Sequence, residues 1–332
     1  MIRVYDNQAV AKRANVKKID NPLSQPDATS FDTQPKPTLA ALAAAVLNGL
    51  ISLFSSSLTK ELMNTISSTM IEARLFCGDA IEVLRGMPDE SIDLTVTSPP
   101  YNIGKEYEQN RPLEEYLEWC RIWLGELFRV TKPSGALWLN LGYIAVEGRG
   151  RAVPLVYLLW NQSPFYLLQE VVWHYGAGVA SRKSFSPRNE KWLWFVKNPS
   201  QYTFNLDAVR DPNVKYPNQK KNGKLKCNPQ GKNPGDVWII PKVTSGSGRA
   251  SRERTPHPAQ FPLAVVRRII LASSNPGEVV FDPFAGSGSS LVASTQCGRR
   301  AMGSELRSDY CAIAERRLRA ARLRHEELAL FD

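Results

Sequence analysis

The sequence predicts an α/β protein with a doubly wound, mostly parallel sheet, and three observations carry that prediction. Short uninterrupted apolar runs, such as "SIDLTV" and "GEVVFD", have the makeup of strands buried on both faces. Segments with apolar residues three and four apart alternate with them, as crossover helices do. Two of the runs end in turns of marked composition, "TSPPY" at residues 97–101 and "DPFAGSGS" at residues 282–289.

From residue 73 the alternation can be followed element by element. "RLFCGDA" reads as a short strand with a turn, "IEVLRGM" as a helical piece and "SIDLTVTS" as a buried strand. After the Pro-Pro turn, "LEEYLEWCRIWLGELFRVT" is an amphipathic helix that starts at Leu113 and is expected to stop at the Lys-Pro-Ser-Gly of residues 132–135. "ALWLNLG" is then a strand, "VPLVYLLWNQ" a helix and "YLLQEVVWHY" a strand. The pattern fades between about residues 174 and 257, although "EKWLWFVK" alternates like a strand and is assigned to the sheet. "GEVVFDPFAGSGSSLVAS" gives a strand, a glycine turn and a small-residue helix opening at about Ser287, and "RRAMGSEL" a further strand running to Glu305.

A chain of 332 residues with 43% hydrophobic content can bury one large core or two modest ones, which excludes global disorder. Residues 1–37 are polar and carry no fold signal. Residues 39–58 have the length of a membrane span, but Asn48, Gly49 and four serines dilute them, so no membrane segment is expected. Residues 1 to about 69 are therefore expected to be dispensable. The five cysteines, Cys77, Cys120, Cys227, Cys297 and Cys311, show no CxxC spacing, and only three histidines could join them, so a reduced, cytoplasmic, metal-free protein is expected.

The formal charge of +10 points to a polyanionic partner, and its location sharpens the point. Residues 176–255 hold sixteen Lys and Arg against five acids, an excess of eleven that exceeds the charge of the whole chain. Trp192, Trp194, Tyr202, Phe204 and Tyr216 are interleaved with them. Such a segment can neutralise phosphates and reach base edges, while the plainer reading is a solvated basic face.

The two turns carry the chemistry. Pro99 and Pro100 lack amide hydrogens, so their turn exposes carbonyls at the carboxyl end of a parallel strand, where open α/β sheets place ligands. In the second turn Gly286 and Gly288 allow close backbone approach, and the following helix start presents free amides, which suits a nucleotide-like cofactor. Leu291 stands where the dinucleotide fingerprint has its third glycine, and no Gly-Lys-Ser/Thr follows, which argues against dehydrogenase and P-loop readings. Glu305, seventeen positions after Gly288, can hold ribose hydroxyls or be a surface charge at a strand end.

Together, "TSPPY" and "DPFAGSGS" resemble the catalytic and S-adenosylmethionine-binding motifs of the amino-methyltransferases of DNA bases. The order of a Pro-Pro motif, a basic variable region and then the glycine motif resembles the β group, whose S-adenosylmethionine-dependent methyltransferase fold is circularly permuted. "GDAIEVL", "TPHPAQFPLAVVRRII" and "GSELRSDYCAIAERRL" resemble the segments that flank the motifs in that group. The resemblance implies an extension over residues 1–70, poorly ordered or peripheral, and a catalytic half over 71–175. It further implies an inserted basic target-recognition region over 176–255, a cofactor-binding half over 256–322 and a tail over 323–332.

The resemblance also implies roles. Ser98, Pro99, Pro100 and Tyr101 are the expected catalytic residues, with the Ser98 side chain and Pro99 carbonyl accepting the two N–H bonds of a flipped-out base amine and Tyr101 stacking on the base. Asp282 and the backbone of Gly286 and Gly288 are expected at the methionine moiety, Phe284 at the adenosine, Glu305 at the ribose and Asp79 at the adenine amino group. A plain turn role for Asp79 stays open, and His257 is expected to pack or cap rather than act as a base. Arg182, Lys183, Arg188, Lys220, Lys221, Lys224, Arg249 and Arg252 are the expected DNA contacts.

Serine in the first motif position is typical of N4-cytosine members, aspartate or asparagine of N6-adenine members. N4-methylation of cytosine in double-stranded DNA is therefore the expected reaction, with N6-adenine methylation as the alternative. An RNA or protein methyltransferase and a non-catalytic DNA-binding protein stand behind these. C5 methylation needs a cysteine in a Pro-Cys context, which Cys227 in "LKCNPQG" does not provide. The chain is similar to modification methylases paired with a cognate restriction endonuclease, including those that read a GC-rich palindrome such as CCCGGG.

Overall fold

The computed structural model describes residues 2–6, 72–106, 108–176, 178, 180–243 and 251–329. Contacts divide the chain into two units. The second, Gln8–Met70, lies outside the described residues, and with it the proposed peripheral extension and the apolar stretch 39–58. The first unit is built on a nine-stranded sheet.

In chain order its elements are β1 (Ile2–Asp6), β2 (Ala73–Cys77), α1 (Ala80–Arg85), β3 (Ile92–Thr97), α2 (Leu113–Val130), β4 (Thr131–Leu141), β5 (Tyr143–Val146) and β6 (Gly150–Pro154). They continue with α3 (Val156–Leu159), β7 (Tyr166–His174), β8 (Asn189–Val196), β9 (Lys220–Lys221), β10 (Lys224–Leu225) and β11 (Val237–Ile239). The last five are α4 (Leu263–Ser273), β12 (Val279–Asp282), α5 (Ser289–Gln296), β13 (Arg300–Glu305) and α6 (Ser308–Ala329).

The main sheet runs β1-β2-β13-β12-β3-β4-β8-β7-β11. Every pairing is parallel except β4 with β8 and β8 with β7. The expected doubly wound, mostly parallel sheet is therefore present. At its centre β12 from the late part of the chain lies beside β3 from the early part, with Val280 opposite Leu94 and Phe281 opposite Thr95. The two motif turns thus leave the same end of adjacent strands, at the point where strand order reverses.

Period-2 alternation in the strands builds two cores, one on each face. In β4, Leu137, Leu139 and Leu141 join α2 residues Trp123, Leu124 and Leu127 on one face. Ala136 and Trp138 point the other way and pack with Val266, Ile269 and Ile270 of α4. Trp138 is stacked on Trp194 at 5.0 Å and 15°, a geometry worth about 0.5–1.5 kcal/mol beyond area burial. A third cluster sets Leu75, Ala301 and Leu291 against Ala314 and Leu318 of α6.

The structure corrects several expectations. Residues 2–6, read as carrying no fold signal, form an edge strand parallel to β2; five residues flanked by polar sequence are too few for a periodic signal. No break occurs at residues 132–135, because α2 passes into β4 at Thr131. The helix expected in "VPLVYLLWNQ" shrinks to α3 and a following 3-10 turn, with β6 taking up Val153 and Pro154. α6 continues to Ala329, through the stretch read as a tail. The cysteines are not all reduced: Cys77 and Cys311 form a disulfide, because the end of β2 and the first turn of α6 converge beside the cleft. Among the described residues no helix is long and apolar enough to cross a membrane.

Candidate active site

Between the two turns opens a cavity of about 1240 Å³, lined by Ser98–Tyr101, Asp79, Asp282, Phe284, Gly286 and Glu305 among others. Sites for one small molecule run to roughly 300–1,000 Å³, so this cavity has room for a cofactor and a second planar group. Thr97 at the end of β3 donates to Asp282 Oδ1 at the end of β12, 2.6 Å away, and clamps the two motifs together.

The Pro-Pro turn is held from outside itself. Glu108 accepts from the amides of Tyr101 at 2.8 Å, Ile103 at 2.7 Å and Lys105 at 3.2 Å. Asn102 takes φ 60°, a left-handed conformation uncommon for a residue with a Cβ. Its side chain exchanges two 2.8 Å hydrogen bonds with the Arg111 backbone, which fix that conformation. Tyr116 donates to the Pro100 carbonyl at 2.9 Å, whereas the Pro99 carbonyl takes no donor from the described residues. Burial holds the Tyr116 phenol far above its ordinary value, so it remains a donor.

Ser98 and Tyr101 begin a directed chain. The Ser98 hydroxyl donates to Tyr101 Oη at 2.9 Å, and Tyr101 donates to Asn140 Oδ1 at 2.7 Å. Asn140, fully buried on β4, donates through Nδ2 to the Lys191 carbonyl at 3.1 Å, and its side chain is also hydrogen-bonded to Glu190. Because the Ser98 proton points into this chain, its oxygen lone pairs remain for the cavity. Asn140, Glu190, Glu108 and Tyr116 carry no motif that singles them out in the sequence. They lie 7–92 positions from Ser98 or Tyr101, and only the fold brings them near.

The glycine turn is saturated differently. Asp282 is 3% exposed and accepts from Thr97, from the Phe284 amide at 3.1 Å and from the Ser290 hydroxyl. Burial pushes its carboxyl up to about 6 against these hydrogen bonds. Glu305 accepts from the Gly286 amide at 2.8 Å and the Arg307 amide at 2.9 Å, and burial raises its carboxyl too. Phe284 packs between Trp119 and Trp123 at 5.6 and 5.5 Å. Asp79 caps α1, accepting from Ile81 and Glu82, so its turn role is real even though it lines the cavity.

The reason for the glycines differs from the one expected. A Cβ on Gly286 would stand 2.8 Å from His257 Nε2, and one on Gly288 2.9 Å from the Ala314 Cβ. Both positions also have positive φ, 52° and 75°. Protein neighbours, not only a ligand, exclude a side chain here. His257 packs on Tyr310 at 4.4 Å and accepts from the Ala259 amide, and burial lowers it to about 4, so it is a neutral packing residue. α5 begins at Ser289, just after the expected Ser287.

Of the expected DNA contacts, Arg182 and Lys183 are exposed on the loop between β7 and β8, whose tip holds the fully exposed Phe185. Lys220, Lys221 and Lys224 are exposed on the β9–β10 hairpin. Arg252 is exposed in a short 3-10 turn, Arg188 is partly buried with a bond to the Pro187 carbonyl, and Arg249 lies outside the described residues.

Comparison with known proteins agrees with this geometry. Over 246 residues the chain is 61% identical to the type II methyltransferase M.ScaI of Streptomyces caespitosus, covering 74% of this chain and 81% of that protein. It is 34% identical to the DNA adenine methyltransferase YhdJ of Escherichia coli K12, covering 76% and 85%. Among solved structures, the cytosine-N4-specific PvuII DNA methyltransferase shares the fold at a TM-score of 0.58 and 18% identity, over 76% of this chain and 92% of that one. A DNA modification methylase of Thermus thermophilus, TTHA0409, solved with S-adenosyl-L-methionine, matches at 0.54 and 26%, over 75% and 94%. The family of N6 and N4 methyltransferases, described as DNA methylase, matches residues 92–316, and the chain belongs to it.

Proposed function

We propose that the protein methylates the exocyclic amine of a base flipped out of duplex DNA, at N4 of cytosine, with S-adenosylmethionine as methyl donor. The observation that carries this reading is the pair of acceptors at the end of β3: Ser98, whose proton is committed to Tyr101, and the undonated Pro99 carbonyl.

A base amine is a weak nucleophile because its lone pair is delocalised into the ring. Ser98 Oγ and the Pro99 carbonyl accept its two N–H bonds and hold the hydrogens out of the ring plane. The nitrogen then moves toward sp³ and its lone pair faces the cofactor side of the cavity. Tyr101, fixed at its hydroxyl by Ser98 and Asn140, offers its ring to stack on the base. After transfer the nitrogen is cationic and acidic, so Ser98 or water suffices to carry its proton away.

The residues around the glycine turn fit the cofactor. Phe284 gives an aromatic wall, Glu305 retains lone pairs for ribose hydroxyls, and the Asp282 carboxylate lies on the path of an ammonium group. Bound there, S-adenosylmethionine supplies an electrophilic methyl group on sulfonium sulfur. Arg182, Lys183, Lys220, Lys221, Lys224 and Arg252 serve as phosphate contacts, with Arg188 and Arg249 beside them in sequence. The similarity to type II methyltransferases supports a role in restriction-modification, in which methylation shields cytoplasmic host DNA from a cognate endonuclease.

Adenine N6 is the second reading, supported by the 34% identity to YhdJ. Incubation with duplex DNA and labelled S-adenosylmethionine, followed by digestion and mass spectrometry of nucleosides, separates the two. Labelled N4-methylcytosine is expected. N6-methyladenine would overturn the base assignment, and mapping of the modified sites would test CCCGGG.

A further inference from the structure

We propose that Glu190 engages the ring nitrogen beside the target amine, donating its carboxyl proton to N3 of a cytosine or N1 of an adenine. The inference rests on the base-methylating reading above and holds for either base, because both present an amine next to a ring acceptor.

Glu190 sits near the start of β8, opposite Trp173 of β7, and both residues line the cavity together with Ser98 and Tyr101. Asn140 joins it to the catalytic turn, since that one side chain accepts from Tyr101 and hydrogen-bonds to Glu190. The cluster is therefore one connected network, Ser98–Tyr101–Asn140–Glu190, with the carboxyl as its far end.

The chemistry of the base calls for a donor there. Inside the duplex the ring nitrogen accepts a proton from the pairing partner, and extrusion removes that donor. Ser98, Pro99 and the Asn140 oxygen are acceptors and serve the amine side. An unmatched ring nitrogen in a dry pocket costs binding energy. It is also intrinsically more nucleophilic than the amine, so a donor that occupies its lone pair directs methylation to the exocyclic position.

The protonation state supports the role. Burial pushes the Glu190 carboxyl up to about 7, opposed by the Lys242 ammonium and the Asn140 hydrogen bond. Lys242 reaches it from the segment after β11 and stands 4.6 Å over the Tyr175 ring. Tyr175 from the end of β7 and Tyr143 from β5 face the same carboxyl, and burial raises both phenols, Tyr175 to about 12. Arg188 lies beside Tyr175, and Lys191, next along β8, pairs with Glu170 at 3.8 Å. None of the tyrosines ionises near neutrality, so the carboxyl is the group that titrates there.

The test is single-turnover methylation of duplex DNA across pH 6 to 9 by wild type, Glu190→Gln, Glu190→Ala and Lys242→Met. In the wild type, transfer should fall as pH rises through about 7, because the donor proton is lost. Glu190→Gln should keep activity within about tenfold and lose that alkaline limb, because its amide donates without titrating. Glu190→Ala should lose more than about tenfold at every pH while still binding cofactor, and Lys242→Met should move the limb upward. A Gln variant as inactive as Ala would overturn the proposal in favour of an acceptor or base. So would a wild-type limb that persists in both Glu190 variants, or loss of transfer in Lys242→Met alone, which would make the lysine the donor. Absence of transfer to DNA by the wild type would instead overturn the function on which the inference rests.

Discussion

The turns at the ends of β3 and β12 lie side by side and are built on opposite plans. In the glycine turn, polar groups satisfy one another: Asp282 collects three donors and Glu305 two amides, while His257 and Ala314 fill the space beside the glycines. In the Pro-Pro turn, Glu108, Tyr116, Arg111 and Asn140 hold the backbone and side chains from outside, and two acceptors are left facing the cavity. A cofactor seat can be rigid because its ligand is the same at every turnover. The base side must stay under-satisfied until the substrate arrives, and its supports come from elsewhere in the fold.

The sharpest way to break this contrast is Ser98→Ala. It removes one acceptor without touching the turn's supports, so single-turnover rates should fall about a hundredfold or more, with cofactor affinity by calorimetry unchanged. Unchanged rates would remove Ser98 from the reaction. Next is Gly288→Ala, which places a methyl 2.9 Å from the Ala314 Cβ at φ 75°. A stability loss of about 1–3 kcal/mol in chemical denaturation is expected. Adding Ala314→Gly should recover the part that comes from the methyl contact, and full additivity of the two changes would argue against that contact.

A smaller effect sharpens the same contrast through pH. The Asp282 carboxyl titrates at about 6 when folded, above the unfolded value near 3.9. Between those values the folded state binds more protons, so this group's contribution to stability is largest below about pH 4 and is lost as pH rises through 6. Asp282→Asn should remove a dependence on the order of 1–3 kcal/mol from denaturation curves over that window. A curve still as steep in the variant would show that another group causes it. The smallest effect is expected at the basic hairpin: truncating Lys220, Lys221 or Lys224 to Ala should each lower the log–log salt slope of DNA binding by about 0.9. Three unaltered slopes would take the hairpin off the phosphates.

Much of this arrangement is legible in the amino-acid sequence. β3, α2, β7, β8, β12 and β13 follow from periodicity, because long elements buried on one or both faces write their pattern into contiguous residues. Ser98 and the glycine turn are legible for the same reason: their chemistry is local and sits at strand ends. Asn140 and Glu190 are not, since each occupies a position in an apolar strand where a polar residue has no neighbours in sequence to explain it. Nor is the steric demand of His257 and Ala314 on the glycines, which depends on segments up to 29 positions away. The Cys77–Cys311 bridge, spanning 234 residues, lacks any spacing signature for the same reason.

Thr97 and Asp282 meet across 185 residues of sequence. On a ribosome adding about 5–20 residues per second, β3 therefore emerges roughly 10–40 s before the strand that covers one of its edges. Throughout that interval the nascent chain carries a hydrophobic strand, "IDLTVT", open to pairing with any other extended segment. The permuted order of the two halves thus makes the last third of translation the step that closes the sheet. Truncated or stalled products ending before residue 279 should be held by chaperones or aggregate, even though they already contain every residue of the Pro-Pro motif.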